Sequence, residues 1–205
     1  MTLADRPLTA FLEDLASSAP TPGGGSAAAQ AAAAGAALVA MVARLSEKQA
    51  GERSVALRDR GDALRQTLTG LIETDAAAFD AVLAAYKLPR GSEEEKSQRR
   101  EAIQAALTRA ADVPLQVAAG GLAVLQSAMD LVESANPNAV SDLGVAAALA
   151  SAGVEGARLN VLINAASITD AAASARLRGE ADRLAGAART LRETVLAAVE
   201  RRIGA

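Results

Sequence analysis

Alanine occupies about a quarter of this 205-residue chain and is densest between Ser26 and Leu45, where small residues fill most positions. Alanine is the strongest helix former, whereas the aromatic residues that strands favour make up 1% of the sequence. The chain is therefore confined to an all-α fold. Gly and Pro punctuation around 20–25, 89–91 and 136–138 divides it into five or six helices, expected over 8–16, 26–45, 52–86, 92–135, 141–168 and 171–203. Short connections of this kind favour antiparallel neighbours, so an antiparallel helical bundle is expected. Pro114 should kink or split the fourth helix. The length suits a single domain spanning 1–205.

Helical spacing marks a core stripe through Leu64, Leu68, Leu71, Ile72, Phe79, Val82 and Leu83, and another through Leu177, Leu184, Ala188, Leu191, Val195 and Val199. The segment 27–45 approaches the length of a membrane span, with Gln30 and Arg44 as its strongly polar residues. Ala and Gly contribute little to insertion, so the segment reads as a helix packed closely on several neighbours, either in the bundle centre or at a subunit contact.

The residue types present exclude much chemistry. With no Cys and no His there is no disulfide, thiolate nucleophile or imidazole shuttle, and no metal site is expected. Proton transfer must fall to Asp, Glu, Lys or Tyr86. A net charge of −3, from 24 acidic and 21 basic residues, supplies no drive towards nucleic acid or an anionic membrane, and neither is expected as a partner. The opening residues Met1 to Arg6 carry Asp5 and lead into no apolar signal core, which points to the cytoplasm.

Several polar residues exceed what a bundle needs. Thr21-Pro22-Gly23-Gly24-Gly25-Ser26 sets three permissive glycines ahead of a helix that Ser26 can cap. It is either a flexible connection or a set of free amides able to hold an anion or carbonyl oxygen. No Walker lysine follows it and no strand precedes it, which removes the nucleotide-loop readings. Asp75 falls mid-helix, one turn before Phe79 and close to the apolar stripe. It either reaches solvent at the stripe's edge or lines a pocket, where partial burial would raise its pKa and suit it to proton shuttling. Asn138, Ser141 and Asp142 form a second cluster, which capping of the next helix by Ser141 or Asp142 would account for. Asn160 and Asn164, an i, i+4 pair among Leu159, Val161, Leu162 and Ile163, project together from an otherwise apolar helix. Buried amides need partners, so the pair either cross-links helices or reads the edge of a heterocyclic ligand. Asp170 is expected to cap the last helix.

In order along the chain, Phe11-Leu12-Glu13-Asp14-Leu15-Ala16, the Thr21-to-Ser26 segment, Met41-Val42, Asp75 with Ala78-Phe79, Lys87-Leu88-Pro89, Val113-Pro114-Leu115, Asn138-Ala139-Val140-Ser141-Asp142-Leu143 and Asn160-Val161-Leu162-Ile163-Asn164 resemble the cyclodeaminase and cyclohydrolase family. This is the helical domain fused to formiminotransferase in a bifunctional folate enzyme and found alone in bacteria. The resemblance implies an all-helical homodimer acting on the one-carbon unit held between two nitrogens of tetrahydrofolate, with no metal and no tightly bound cofactor. It implies one or both of two reactions, hydrolysis of a methenyl bridge to a formyl derivative and closure of a formimino group to methenyl with loss of ammonia. By position Asp75 matches the family's acid/base residue, and Asp142 is assigned with it. Pro22, Gly23, Gly24, Gly25, Ser26, Lys87, Asn138, Asn160 and Asn164 are assigned to the folate. No formiminotransferase segment lies within the 205 residues, so a separate transferase is an expected partner. The competing expectation is a non-catalytic helical folate-binding or scaffold module, in which the same residues serve only caps and helix contacts.

Overall fold

The computed structural model describes residues 2–204 and is helical as expected. A 3-10 turn, Leu3–Asp5, leads into α1 (Leu8–Leu15), α2 (Gly24–Leu45), the single turn α3 (Glu47–Ala50), α4 (Glu52–Tyr86), α5 (Glu93–Val132), α6 (Val140–Ala165) and α7 (Ala171–Ile203). Consecutive long helices run antiparallel. Ser54 Oγ donates to the Ala43 carbonyl across α2 and α4, and Arg53 to the Asp130 carbonyl across α4 and α5. At the last corner Ser174 Oγ donates to the Ala165 carbonyl.

Two caps are those their residues suggest. Asp170 accepts from the amides of Ala172 and Ala173 at the start of α7, and Ser92 with Glu95 forms a reciprocal box on α5. Two expected caps are absent. α2 begins at Gly24, two residues early, with Gly23 as its N-cap, so Ser26 lies inside the first turn with its side chain buried. α6 begins at Val140 with Ala139 at the cap position, and neither Ser141 nor Asp142 caps it.

The fourth expected helix is not split. α5 runs through Pro114, whose missing N–H leaves the Ala110 carbonyl without its partner one turn back. That carbonyl instead accepts from Asn164 Nδ2 of α6 at 2.8 Å.

The alanine-rich α2 packs against α4, α5 and α6. By length and composition α2, α5 and α6 could each cross a membrane, yet here they bury much of their apolar surface on one another. Small residues make the α2–α6 contact close enough for backbone to meet backbone. A Cβ on Gly35 would lie 2.9 Å from the Ala146 carbonyl oxygen, and one on Gly153 would lie 2.7 Å from that of Ala28. Leu68, Leu71, Ile72 and Val82 occupy the α4 core stripe, with Leu64 and Leu83 at its margin. Phe79 departs from it and is 39% exposed.

Candidate active site

A cavity of about 340 Å³ opens where the N-terminus of α2 meets α4, α5 and α6. Pro20, Thr21 and Gly23 to Gly25 form one wall, and α4 supplies Asp75, Phe79, Val82 and Tyr86. α5 contributes Leu107 and Ala110, while α6 contributes Asn160, Ile163 and Asn164, with Ser167 just beyond its end. The α4 residues follow a 4, 3, 4 spacing, which is one face of a helix.

Asp75 is half-buried, and removal from water raises its pKa above the usual carboxylate range. The hydroxyl and amide of Ser26 oppose that shift by stabilising the charged form. Ser26 Oγ lies 3.0 Å from both Asp75 Oδ2 and the Ile72 carbonyl oxygen. A hydroxyl has one hydrogen to give, so it can serve either acceptor. When Asp75 is ionised Ser26 donates to it. When Asp75 is protonated it donates to Ser26, whose hydrogen then turns to Ile72. Both states of the carboxyl are hydrogen-bonded.

Gly25 acts by absence of bulk rather than by conformational freedom. Neither Gly23, Gly24 nor Gly25 has positive φ. A Cβ on Gly25 would stand 2.1 Å from Asp75 Oδ1, so only glycine lets α2 approach the carboxyl. The first helical N–H bond of α2 runs from Ala27 to the Gly23 carbonyl. The amides of Gly24 and Gly25 therefore remain as donors at the positive end of the helix dipole, while that of Ser26 is turned to Asp75. Pro22 is buried beside this wall, after a cis Thr21–Pro22 bond.

The asparagines divide their groups between structure and cavity. Asn164 Nδ2 is used on Ala110, and Asn160 Nδ2 donates to the Gly156 carbonyl at 2.9 Å. Asn164 thus cross-links α6 to α5, whereas Asn160 bonds within its own helix, and both residues line the cavity. Among the described residues Asp75 is the one carboxylate in these walls, and no group of three carboxylates able to hold a metal occurs.

Of the assigned residues, Ser26 reaches the site only through its bond to Asp75 and Pro22 is buried beside the lining, while three others are not brought into it. Lys87 is exposed at the C-terminal cap of α4, beside but outside the lining. Asn138 and Asp142 sit at the opposite end of the bundle, where their neighbour Asn136 donates to the Leu45 carbonyl at the far end of α2. The 22 residues of α2 separate them from Asp75 by roughly 33 Å. Within one chain Asp142 thus cannot share the chemistry of Asp75. Conversely, Leu107, Ala110 and Ile163 line the cavity without having been assigned to it, and so does Tyr86, named above only among the possible proton carriers. Tyr86 and Phe79 were detectable through their spacing from Asp75, whereas Leu107 and Ile163 look like any core residue in sequence.

An all-helical cleft with a raised-pKa carboxyl, free amides and two carboxamides defines a class of protein that binds a small polar molecule and moves protons on it. Comparison with known proteins narrows the class. The family profile described as Formiminotransferase-cyclodeaminase matches residues 7–183. A methenyltetrahydrofolate cyclohydrolase of Methylorubrum extorquens is 42% identical over 201 residues, covering 96% of this chain and 97% of its own. The formimidoyltransferase-cyclodeaminase of Rattus norvegicus is 36% identical over 206 residues, which are 98% of this chain but 38% of the rat protein. The crystal structure of formiminotetrahydrofolate cyclodeaminase from Thermotoga maritima superimposes with a TM-score of 0.79 at 28% identity, over 98% of this chain and 96% of that one. The chain belongs to the formiminotransferase-cyclodeaminase family.

Proposed function

We propose that this protein is a folate one-carbon enzyme of the cytoplasm, hydrolysing the methenyl bridge of methenyltetrahydrofolate to the formyl derivative, with the folate as substrate and no resident cofactor. The observation that carries this reading is Asp75, held half-buried in the cavity in a setting that hydrogen-bonds both of its protonation states. As water adds to the bridge carbon, ionised Asp75 takes its proton. The carbon becomes tetrahedral and bears a hydroxyl; protonated Asp75 then gives its proton to the departing nitrogen as the ring opens, and the hydroxyl proton is lost to solvent as the formyl C=O forms. Amides at the α2 terminus can stabilise oxygen charge developing on that carbon. The near full-length match to a cyclohydrolase favours hydrolysis. The cyclodeaminase names of the rat and Thermotoga proteins support a second reaction on the same carbon, closure of a formimino group with loss of ammonia, supplied by a separate formiminotransferase.

The test is loss of the near-ultraviolet absorbance of methenyltetrahydrofolate above the spontaneous rate, with Asp75→Asn in parallel. Acceleration by wild type alone supports the reading. No acceleration, together with no ammonia release from formiminotetrahydrofolate, would leave a non-catalytic folate-binding or scaffold module.

The working form we propose is a homodimer. On the faces of α2 and α6 turned away from α5, Ala31, Ala34, Leu38, Met41 and Leu45 lie beside Val145, Ala148, Ala152, Leu159 and Ile163, all partly or fully exposed. On α2 these positions follow an unbroken 3, 4 spacing, the pattern of a helix that packs on another helix. A two-fold axis perpendicular to this face would set the Asp142 end of one copy next to the Asp75 end of its partner.

A further inference from the structure

We infer that Pro114 is a positioning residue for the substrate site: by withholding the N–H that would occupy the Ala110 carbonyl, it reserves that carbonyl for Asn164 and so turns the Asn164 Oδ1 towards the ligand as an acceptor. The inference deepens the folate reading and rests on it. In an α-helix the N–H of residue 114 would bond to the carbonyl of residue 110, and proline has none to give. Ala110 is buried and forms part of the cavity wall, where an unpaired carbonyl is costly. Asn164 Nδ2 meets that need at 2.8 Å.

A carboxamide carries its donor and its acceptor on opposite sides. Since the Ala110 carbonyl can only accept, the bond fixes which end of Asn164 faces it. Oδ1 is left with no donor among the described residues. One turn earlier, Gly156 fixes Asn160 in the same sense through its own carbonyl, again leaving Oδ1 free. The cavity thus has two amide oxygens from consecutive turns of α6, on residues whose Cβ atoms lie about 6 Å apart by helix geometry. That arrangement selects a flat heterocycle with N–H and amino donors along one edge, and disfavours an edge of acceptors. A proline inside a helix is otherwise destabilising, so its place in α5 is offset by what it orients.

The experiment compares wild type with Pro114→Ala, Asn164→Ala and the double variant. Alanine restores an N–H that competes for the Ala110 carbonyl and favours the helix. Pro114→Val, which keeps more of the buried volume, is the second variant should alanine fail to fold. In 15N-resolved spectra without substrate, the side-chain amide signal that Asn164→Ala removes should move in Pro114→Ala towards a freely exchanging carboxamide. KM for methenyltetrahydrofolate should rise about tenfold, the scale of one ligand hydrogen bond, with kcat nearly unchanged. In the Asn164→Ala background the Pro114 substitution should add nothing. An unmoved amide signal, or an equal rise in KM whether or not Asn164 is present, overturns the inference. The amide signal is read without turnover, so it still judges the Pro114–Asn164 link if wild type fails to hydrolyse the folate, a result that would count against the hydrolysis reading instead.

Discussion

At the scale of single residues, the arrangement around Asp75 makes its two neighbours separable by experiment. Asp75→Asn keeps the shape and the hydrogen bond from Ser26 but cannot accept or release a proton, so kcat should fall by about 10²- to 10⁴-fold with the fold retained. Stability should move the other way. Because the folded pKa lies above the unfolded one, the native state holds the Asp75 proton more tightly, and stability falls as pH rises from the ordinary carboxylate range through the raised value. Asn removes that dependence, so thermal denaturation at neutral pH should show the variant no less stable than wild type. A clear loss of stability would instead mark the carboxylate as a cap of α2. Gly25→Ala forces a methyl against the carboxyl. Turnover should drop at least about tenfold as Asp75 is displaced, with an overpacking cost of roughly 1–3 kcal/mol in denaturant titration. Asp75 was legible in the sequence as a charged residue near an apolar stripe. The need for Gly25 was not, because consecutive glycines signal flexibility and nothing in the chain announces the atom that would strike a side chain.

At the scale of elements, local chemistry reported helices better than their ends. The Asp170 cap is the one expected from sequence, Ser92 caps α5 where the helix was expected to begin, and removing either by Ala should cost about 1 kcal/mol in chemical denaturation without changing KM. The α2 and α6 starts were misjudged by one or two residues, since Ser26 finds better partners in α4 than in its own first turn. Pro114 was read as a kink or a split because the rule for proline is local, whereas the partner of the freed carbonyl lies 54 residues away. The Asn pair was legible as a pair, but which atoms bind helix and which face the cavity depends on neighbours in other elements.

At the scale of the molecule, alanine content and Gly/Pro punctuation were enough for an antiparallel bundle, while the placement of Asn138 and Asp142 far from Asp75 follows from topology alone. If the α2–α6 face holds a second copy, light scattering should report twice the chain mass, and Leu38→Glu with Leu159→Glu should halve it. An unchanged mass in that variant would move the interface elsewhere. In such a dimer, mixing inactive Asp75→Asn with an inactive Asp142 variant should restore part of the activity, because a hybrid carries one complete pair of ends.

The clearance of Gly25 over Asp75 also sets a tolerance for assembly. Were α2 to settle one residue out of step along α4, Ser26 or Gly24 would arrive where Gly25 belongs. In the first case a side chain would press on the carboxyl, and in either case the Ser26 hydroxyl would miss it. The contact therefore works like a key cut to a single depth, so that a bundle assembled in the wrong register is also one without a working proton shuttle.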